Sequence, residues 1–225
     1  MNHSNIFKKS AVALAAVGLF ASASAQADSL VLEQDINSLA FTVNVGGQQD
    51  DVVAGVFNVD NLTTGSSFLA FCFELLQGVG VGALTPPGLE FTAGSAVNAS
   101  TQALFNQSYA TLDFNDATAM AGFQIALWET LDDINLATGN YNGWTGDTGS
   151  IDEDLALLVA DTFLGNIAAG APATGNYNLT TWLNGSSQDL IQAIVPTGGT
   201  VPEPATALLG ALGLAGIAAV RRRKA

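Results

Sequence analysis

The apolar and polar positions of this chain change period along its length. Residues 40–45 alternate, and residues 52–59 are β-branched and apolar before Asp60-Asn61, so both stretches predict strands. Residues 68–75 are apolar on both faces and predict a buried strand at the centre of a sheet. Residues 191–195 predict a last strand. Between them the period becomes helical. A first helix is expected over residues 96–109. A second opens at Asp116 as N-cap and carries Met120, Phe123, Leu127 and Leu131 on one stripe. A third opens with a capping box from Ser150 to Glu153 and directs Leu155, Leu158, Val159, Phe163 and Ile167 inward. Strands, a helical middle and a late strand predict one α+β domain over residues 28–196, β-rich with a helical middle region.

Neither end fits that pattern. Lys8 and Lys9 precede an apolar run over residues 11–21 and the small-residue series Ala23-Ser24-Ala25-Gln26-Ala27. This is the layout of a secretory signal peptide, residues 1–27, with cleavage expected after Ala25 or Ala27. At the other end, a short Gly-Thr tether (197–201) leads to Pro202-Glu203-Pro204, an apolar stretch over residues 205–220, and Arg221, Arg222, Arg223 and Lys224. Sixteen helical residues span roughly 24 Å against about 30 Å of hydrocarbon. Snorkelling arginines can close that gap and hold the tail on the cytoplasmic side.

The Pro-Glu-Pro, the apolar helix and the Arg run, residues 202–225, together resemble the PEP-CTERM sorting signal. The resemblance implies processing near the Pro-Glu-Pro by an exosortase-type transpeptidase, with inner-membrane anchoring beforehand. It also implies a destination at the cell surface or in an exopolysaccharide matrix.

Charge narrows the chemistry of what lies between. The chain has 225 residues with 20 acidic and 6 basic side chains, a formal net charge of −14. From Ser10 to Val220 there is no Lys or Arg, and the single histidine is His3. Nucleic-acid binding is excluded, because nothing can displace phosphate counterions. A Ser-His-Asp or Cys-His nucleophile, a Schiff-base lysine and an imidazole metal ligand are excluded with it. No turnover enzyme, cofactor or metal is expected.

Two residues stand out against this background. Cys72 is the only cysteine of the chain, so an internal disulfide is impossible, yet it lies in the expected central strand. Gln124 lies on the apolar stripe of the second helix, where an unsatisfied amide costs about 1–3 kcal/mol. Gln124 could bond the backbone of a neighbouring strand, with Cys72 serving as a small buried hydrophobe. Alternatively, the Cys72 thiolate could attack the Gln124 carboxamide and expel ammonia, leaving a thioester that a partner's amine or hydroxyl can capture.

Phe71-Cys72-Phe73 and Gln124-Ile125-Ala126-Leu127-Trp128 resemble the cysteine and the TQxA(I/V)W motif of bacterial thioester domains, which are surface adhesin modules. The match holds at Cys72, Gln124, Ala126 and Trp128. It departs at Phe123, where the motif has Thr, and at Leu127, where it has Ile or Val. The resemblance implies an internal Cys72–Gln124 bond. The absence of lysine from the body fits, since lysine amines would attack such a bond.

Three further patterns are weaker. The acidic run 147–154 lacks EF-hand spacing and reads as a solvated loop entering a helix. Asp132-Asp133 closes the second helix at the end where negative charge is unfavourable, marking a sharp stop or an ion site. Glu74 and Glu129 could form a carboxylate pair for glycoside hydrolysis. The reading that results is an exported, matrix- or surface-sorted protein that adheres covalently through Cys72 and Gln124. The alternative is a non-covalent structural or polysaccharide-binding matrix protein with an inert buried cysteine.

Overall fold

The computed structural model describes residues 27–33, 37–94 and 97–196. The expected signal peptide (up to residue 26), the tether, the sorting signal and its helix at 205–220 lie outside the described residues, as do Pro202, Glu203, Pro204, Arg221, Arg222 and Arg223.

Eight strands run in the order β1 (Ala27–Leu32), β2 (Asn37–Val45), β3 (Gln48–Asn61), β4 (Ser66–Cys72), β5 (Leu89–Gly94), β6 (Tyr141–Gly146), β7 (Asn178–Leu183) and β8 (Leu190–Ile194). Three helices, α1 (Ala99–Ser108), α2 (Ala117–Glu129) and α3 (Ile151–Ala168), fall between β5 and β7, with β6 among them. The mixed, β-rich class is as expected. The closed barrel is not. All pairings are antiparallel, and the ring β1-β5-β7-β8-β4-β3 closes because β1 pairs with both β5 and β3. Inside it lie Leu30, Leu32, Val59, Ala70, Phe91, Trp182 and Leu190.

β3 is the hinge of the architecture. Its 14 residues are too long for one partner: Gln48–Val56 pairs with β2, and Phe57–Asn61 pairs with β4 on the other edge. The turn at Gly46 and Gly47, both at positive φ, folds β2 back onto β3 and fixes the register Val45↔Gln48. β2, β3 and β6 form a second sheet on which α2 lies, and the larger core fills the space between.

The helices depart from expectation in which faces they bury. α1 starts at Ala99 behind an Asn98 cap that accepts from the Thr101 amide, later than the expected start at 96. α2 has its expected cap, Asp116 accepting from the Thr118 amide at 2.9 Å. Its burial, however, is not a stripe. Every residue from Met120 to Glu129 is buried, because the sheet covers one side and α3 the other. The capping box of α3 is present, but its inward face is Ala156, Ala160 and Leu164, with Leu155 and Leu158 exposed. The cause is close packing. A Cβ on Gly122 would lie 2.8 Å from the Ala156 carbonyl oxygen, so α3 approaches α2 through its small residues rather than its leucines. Val159, Phe163 and Ile167 are half-buried at the flank.

Candidate functional site

Cys72 is the last residue of β4 and lies opposite Leu190 of β8. The neighbouring residues bond toward β8: the Phe73 amide donates to the Asp189 carbonyl at 2.7 Å. In an antiparallel strand, successive residues direct their main-chain groups to alternate edges. Cys72 therefore directs its amide and carbonyl to the other edge, that of β3. The β3–β4 ladder ends at Phe57↔Ala70, and its continuation by two residues would set Gly55 against Cys72. Gly55 pairs with Ser38 on the β2 edge and does not extend the β3–β4 ladder to Cys72.

Gln124 fills the vacated position. Its side-chain Oε1 accepts from the Cys72 amide at 2.9 Å, and its Nε2 donates to the Cys72 carbonyl at 2.8 Å. A side-chain carboxamide thus stands in for the peptide group of a missing strand residue. Both residues are buried, Gln124 completely. Two net-favourable bonds contribute about 1 kcal/mol each, and leaving those groups unmade in the core would cost more.

The residues beside the pair clamp it. Phe71 and Phe123 lie 4.8 Å apart between ring centroids, and Phe105 meets Phe123 edge-on at 5.0 Å. The aromatic at 123, where the thioester-domain motif has Thr, therefore anchors α2 to β4 through packing. Ala126 is fully buried one turn beyond the cap-side half of the helix. Trp128 stacks on Trp144 of β6 at 6.1 Å and 8°. Its indole Nε1 is buried and has no hydrogen-bond partner among the described residues. Trp128 and Cys72 both line a pocket of about 180 Å³ in the gap where β3 leaves β4, together with Gly55, Phe57, Gln77 and Gln188.

The sequence singles out Cys72, Gln124, Ala126 and Trp128 and offers Trp144 only as one aromatic near acids; its contacts with Trp128 and Glu129 depend on a β6 strand that no pattern announced. The Trp144 indole donates to Glu129 Oε1 at 2.6 Å. Glu129 is fully buried at the end of α2, and burial pushes its carboxyl up to about 8; the Trp144 bond opposes that shift and Asp133 and Asp132 add to it. Its partner in the suggested hydrolytic pair, Glu74, is exposed on the loop after β4. Burial and Asp189 raise the Glu74 carboxyl as well. Of the acidic run 147–154, Glu153 turns inward and accepts from Thr148 Oγ1 at 2.8 Å and from the Ser150 amide at 3.0 Å, completing the cap of α3. Although burial raises Glu153, these bonds outweigh it and hold its carboxyl below the ordinary glutamate value.

Comparison with curated proteins gives no match. Among solved structures, the chain is similar to the N-terminal thioester domain of fibronectin-binding protein SfbI from Streptococcus pyogenes. The identity is 16%, the TM-score 0.41, and the overlap covers 72% of this chain and 98% of that one. It is also similar to the N-terminal domain of the Streptococcus pyogenes pilus tip adhesin Cpa (14%, TM-score 0.41, 73% and 98%). A third similarity is to the N-terminal thioester domain of a surface protein from Clostridium perfringens (12%, TM-score 0.37, 69% and 99%). Residues 200–224 match the family model of the PEP-CTERM protein-sorting motif, which marks the chain as an exported protein handled by an exosortase-type system and destined for the cell surface.

Proposed function

We propose that this protein is a surface or matrix adhesin that bonds covalently to its partner through a Cys72–Gln124 thioester. The observation that carries the reading is the two-way hydrogen bonding of the Gln124 carboxamide to the Cys72 main chain, across 52 positions of sequence. Held there, the carboxamide is bonded to the main chain of the residue whose side chain would attack it. Such confinement is what converts a slow amide into a reactive one.

In the step proposed, the Cys72 sulfur adds to Cδ of Gln124, the C–N bond breaks, and Nε2 leaves as ammonia carrying the thiol proton. The product is an acyl thioester with no net oxidation or reduction. A partner's amine or hydroxyl then attacks the same carbon, forms an amide or ester to Gln124 and returns the Cys72 thiol. The pocket beside Cys72 supplies an approach for that nucleophile. The lysine-free body leaves no internal side-chain amine to consume the bond first. The acceptor is a surface amine or hydroxyl, and exopolysaccharide hydroxyls belong to that class.

A second reading is favoured by the same hydrogen bonds. They give both polar atoms of the buried amide a partner as it stands, as they would in a structural or polysaccharide-binding matrix protein with inert Cys72. Intact mass of protein taken from its own cell surface separates the two. The adhesin is lighter than its sequence by one ammonia and gains methylamine on treatment. A full-mass protein that ignores methylamine would establish the second reading.

A further inference from the structure

We propose that Glu129, Asp132 and Asp133, at the C-terminal end of α2, bind a divalent cation of the calcium class. One carboxylate oxygen from each of the three lies within 4.8 Å of the others. Two oxygens bound to one calcium ion at about 2.4 Å each can be no farther apart than twice that distance, so the three meet the spacing that a shared ion requires.

Acidic side chains gather on many surfaces, but the buried member of this group is different. Glu129 is fully buried, and Trp144 occupies its Oε1. Its Oε2 is buried too and has no hydrogen-bond partner among the described residues. The three acids also lie where the helix exposes its carbonyl ends, and that end favours positive charge. A bound cation resolves both conflicts.

The other two carboxylates are held in position. Asp132 accepts from the Asn140 side chain at 2.8 Å and from the Tyr141 amide at 3.0 Å. Asp133 accepts from the Asn135 amide at 3.1 Å and from Thr138 Oγ1 at 2.6 Å. The loop is closed tightly at Gly139 (φ +77), where a Cβ would collide with Asp132 Oδ2. Glu129 is buried, Asp132 half-buried and Asp133 exposed, so solvent reaches the group at its Asp133 end. The donors are all hard oxygens with no nitrogen or sulfur, and three carboxylates leave room for water to complete six to eight ligands, which selects calcium over zinc.

Terbium, a calcium-sized ion that emits when a nearby tryptophan is excited, tests this on the full chain. Trp144, bonded to Glu129, is the sensitiser. The expected result is saturable terbium emission of one ion per chain, displaced by calcium. Asp133→Asn should weaken it at least tenfold, and Asp152→Asn on the exposed first turn of α3 should leave it unchanged. Emission that calcium does not displace, or equal affinity in Asp133→Asn, overturns the proposal. Calcium should also raise the melting temperature of the wild type but not of Glu129→Gln. An equal rise in both, or none in either, overturns it as well. If Glu129→Gln does not fold, the Asp133→Asn arm decides alone.

Discussion

The side chain of Gln124 hydrogen-bonds the main chain of Cys72 in both directions, at 2.9 and 2.8 Å, in the strand position that Gly55 would otherwise occupy. Because both bonds use main-chain atoms of Cys72, the fold and the proposed chemistry can be separated by mutation. Cys72→Ala keeps the bonds and should cost only about 1 kcal/mol of packing. It should also abolish any mass deficit and methylamine uptake. Gln124→Ala leaves a buried amide and carbonyl without partners and should cost about 2–4 kcal/mol. Urea denaturation of the two variants checks the contrast, and equal losses would show that the hydrogen bonds do not hold α2 to β4.

The contact between α2 and α3 depends on the absence of a side chain at Gly122. A Cβ there would lie 2.6 Å from Val159 Cγ1 and 2.8 Å from the Ala156 carbonyl oxygen, and the latter cannot rotate away. Gly122→Ala is expected to destabilise the domain by about 1–3 kcal/mol despite its better helix propensity. A rise in the melting temperature would mean that the two helices can separate without loss.

Glu153 provides a pH dependence whose sign follows from its hydrogen bonds. Its carboxyl is held below the ordinary glutamate value in the folded protein, so the folded state prefers it ionised. The stabilisation is complete above the unfolded value and is lost as pH falls through the folded one. Glu153→Gln should therefore be less stable than wild type near neutral pH, with the gap closing in acid. Melting curves from pH 7 to pH 3 measure it, and a gap that widened in acid would contradict the capping role.

Trp144 joins β6 to the end of α2 through one bond and one stack. Trp144→Phe retains an aromatic face for Trp128 but removes the donor to Glu129, and should cost about 1–3 kcal/mol. A neutral substitution would show that Glu129 finds another partner in solution.

Removal of the expected signal peptide and of the sorting tail would take away every basic residue. Between Lys9 and Arg221 there is no site for trypsin. Protein recovered from the cell surface should remain a single uncut species even when digested in urea. Release of a short basic fragment would show that a terminal signal was retained.

Much of the body could be read from neighbouring positions. The caps at Asp116 and Ser150, the alternating strand at 40–45, the β-branched run at 52–59 and the buried strand at Cys72 are local effects, in which sequence spacing is spatial spacing. The strands β1, β5, β6 and β7 were not legible. Their sequences are mixed or glycine-containing, and they are strands because the barrel, or the edge of β2 in the case of β6, supplies partners for their backbones. The inward face of α3 was misjudged for a related reason: leucines mark apolarity, but Gly122 decided how near the helices could come.

By itself, the sequence determined that the body has no cation, no histidine and one cysteine, and that a sorting motif follows it. Those are properties of composition and order, and no folding can alter them. Tertiary structure alone decided that β3 turns from β4 to β2 two residues early and that a glutamine fills the resulting gap. It alone decided that Glu129 is buried against Trp144. Such relations join residues far apart in the chain, and they exist only once burial forces each polar group to find whichever partner lies within reach.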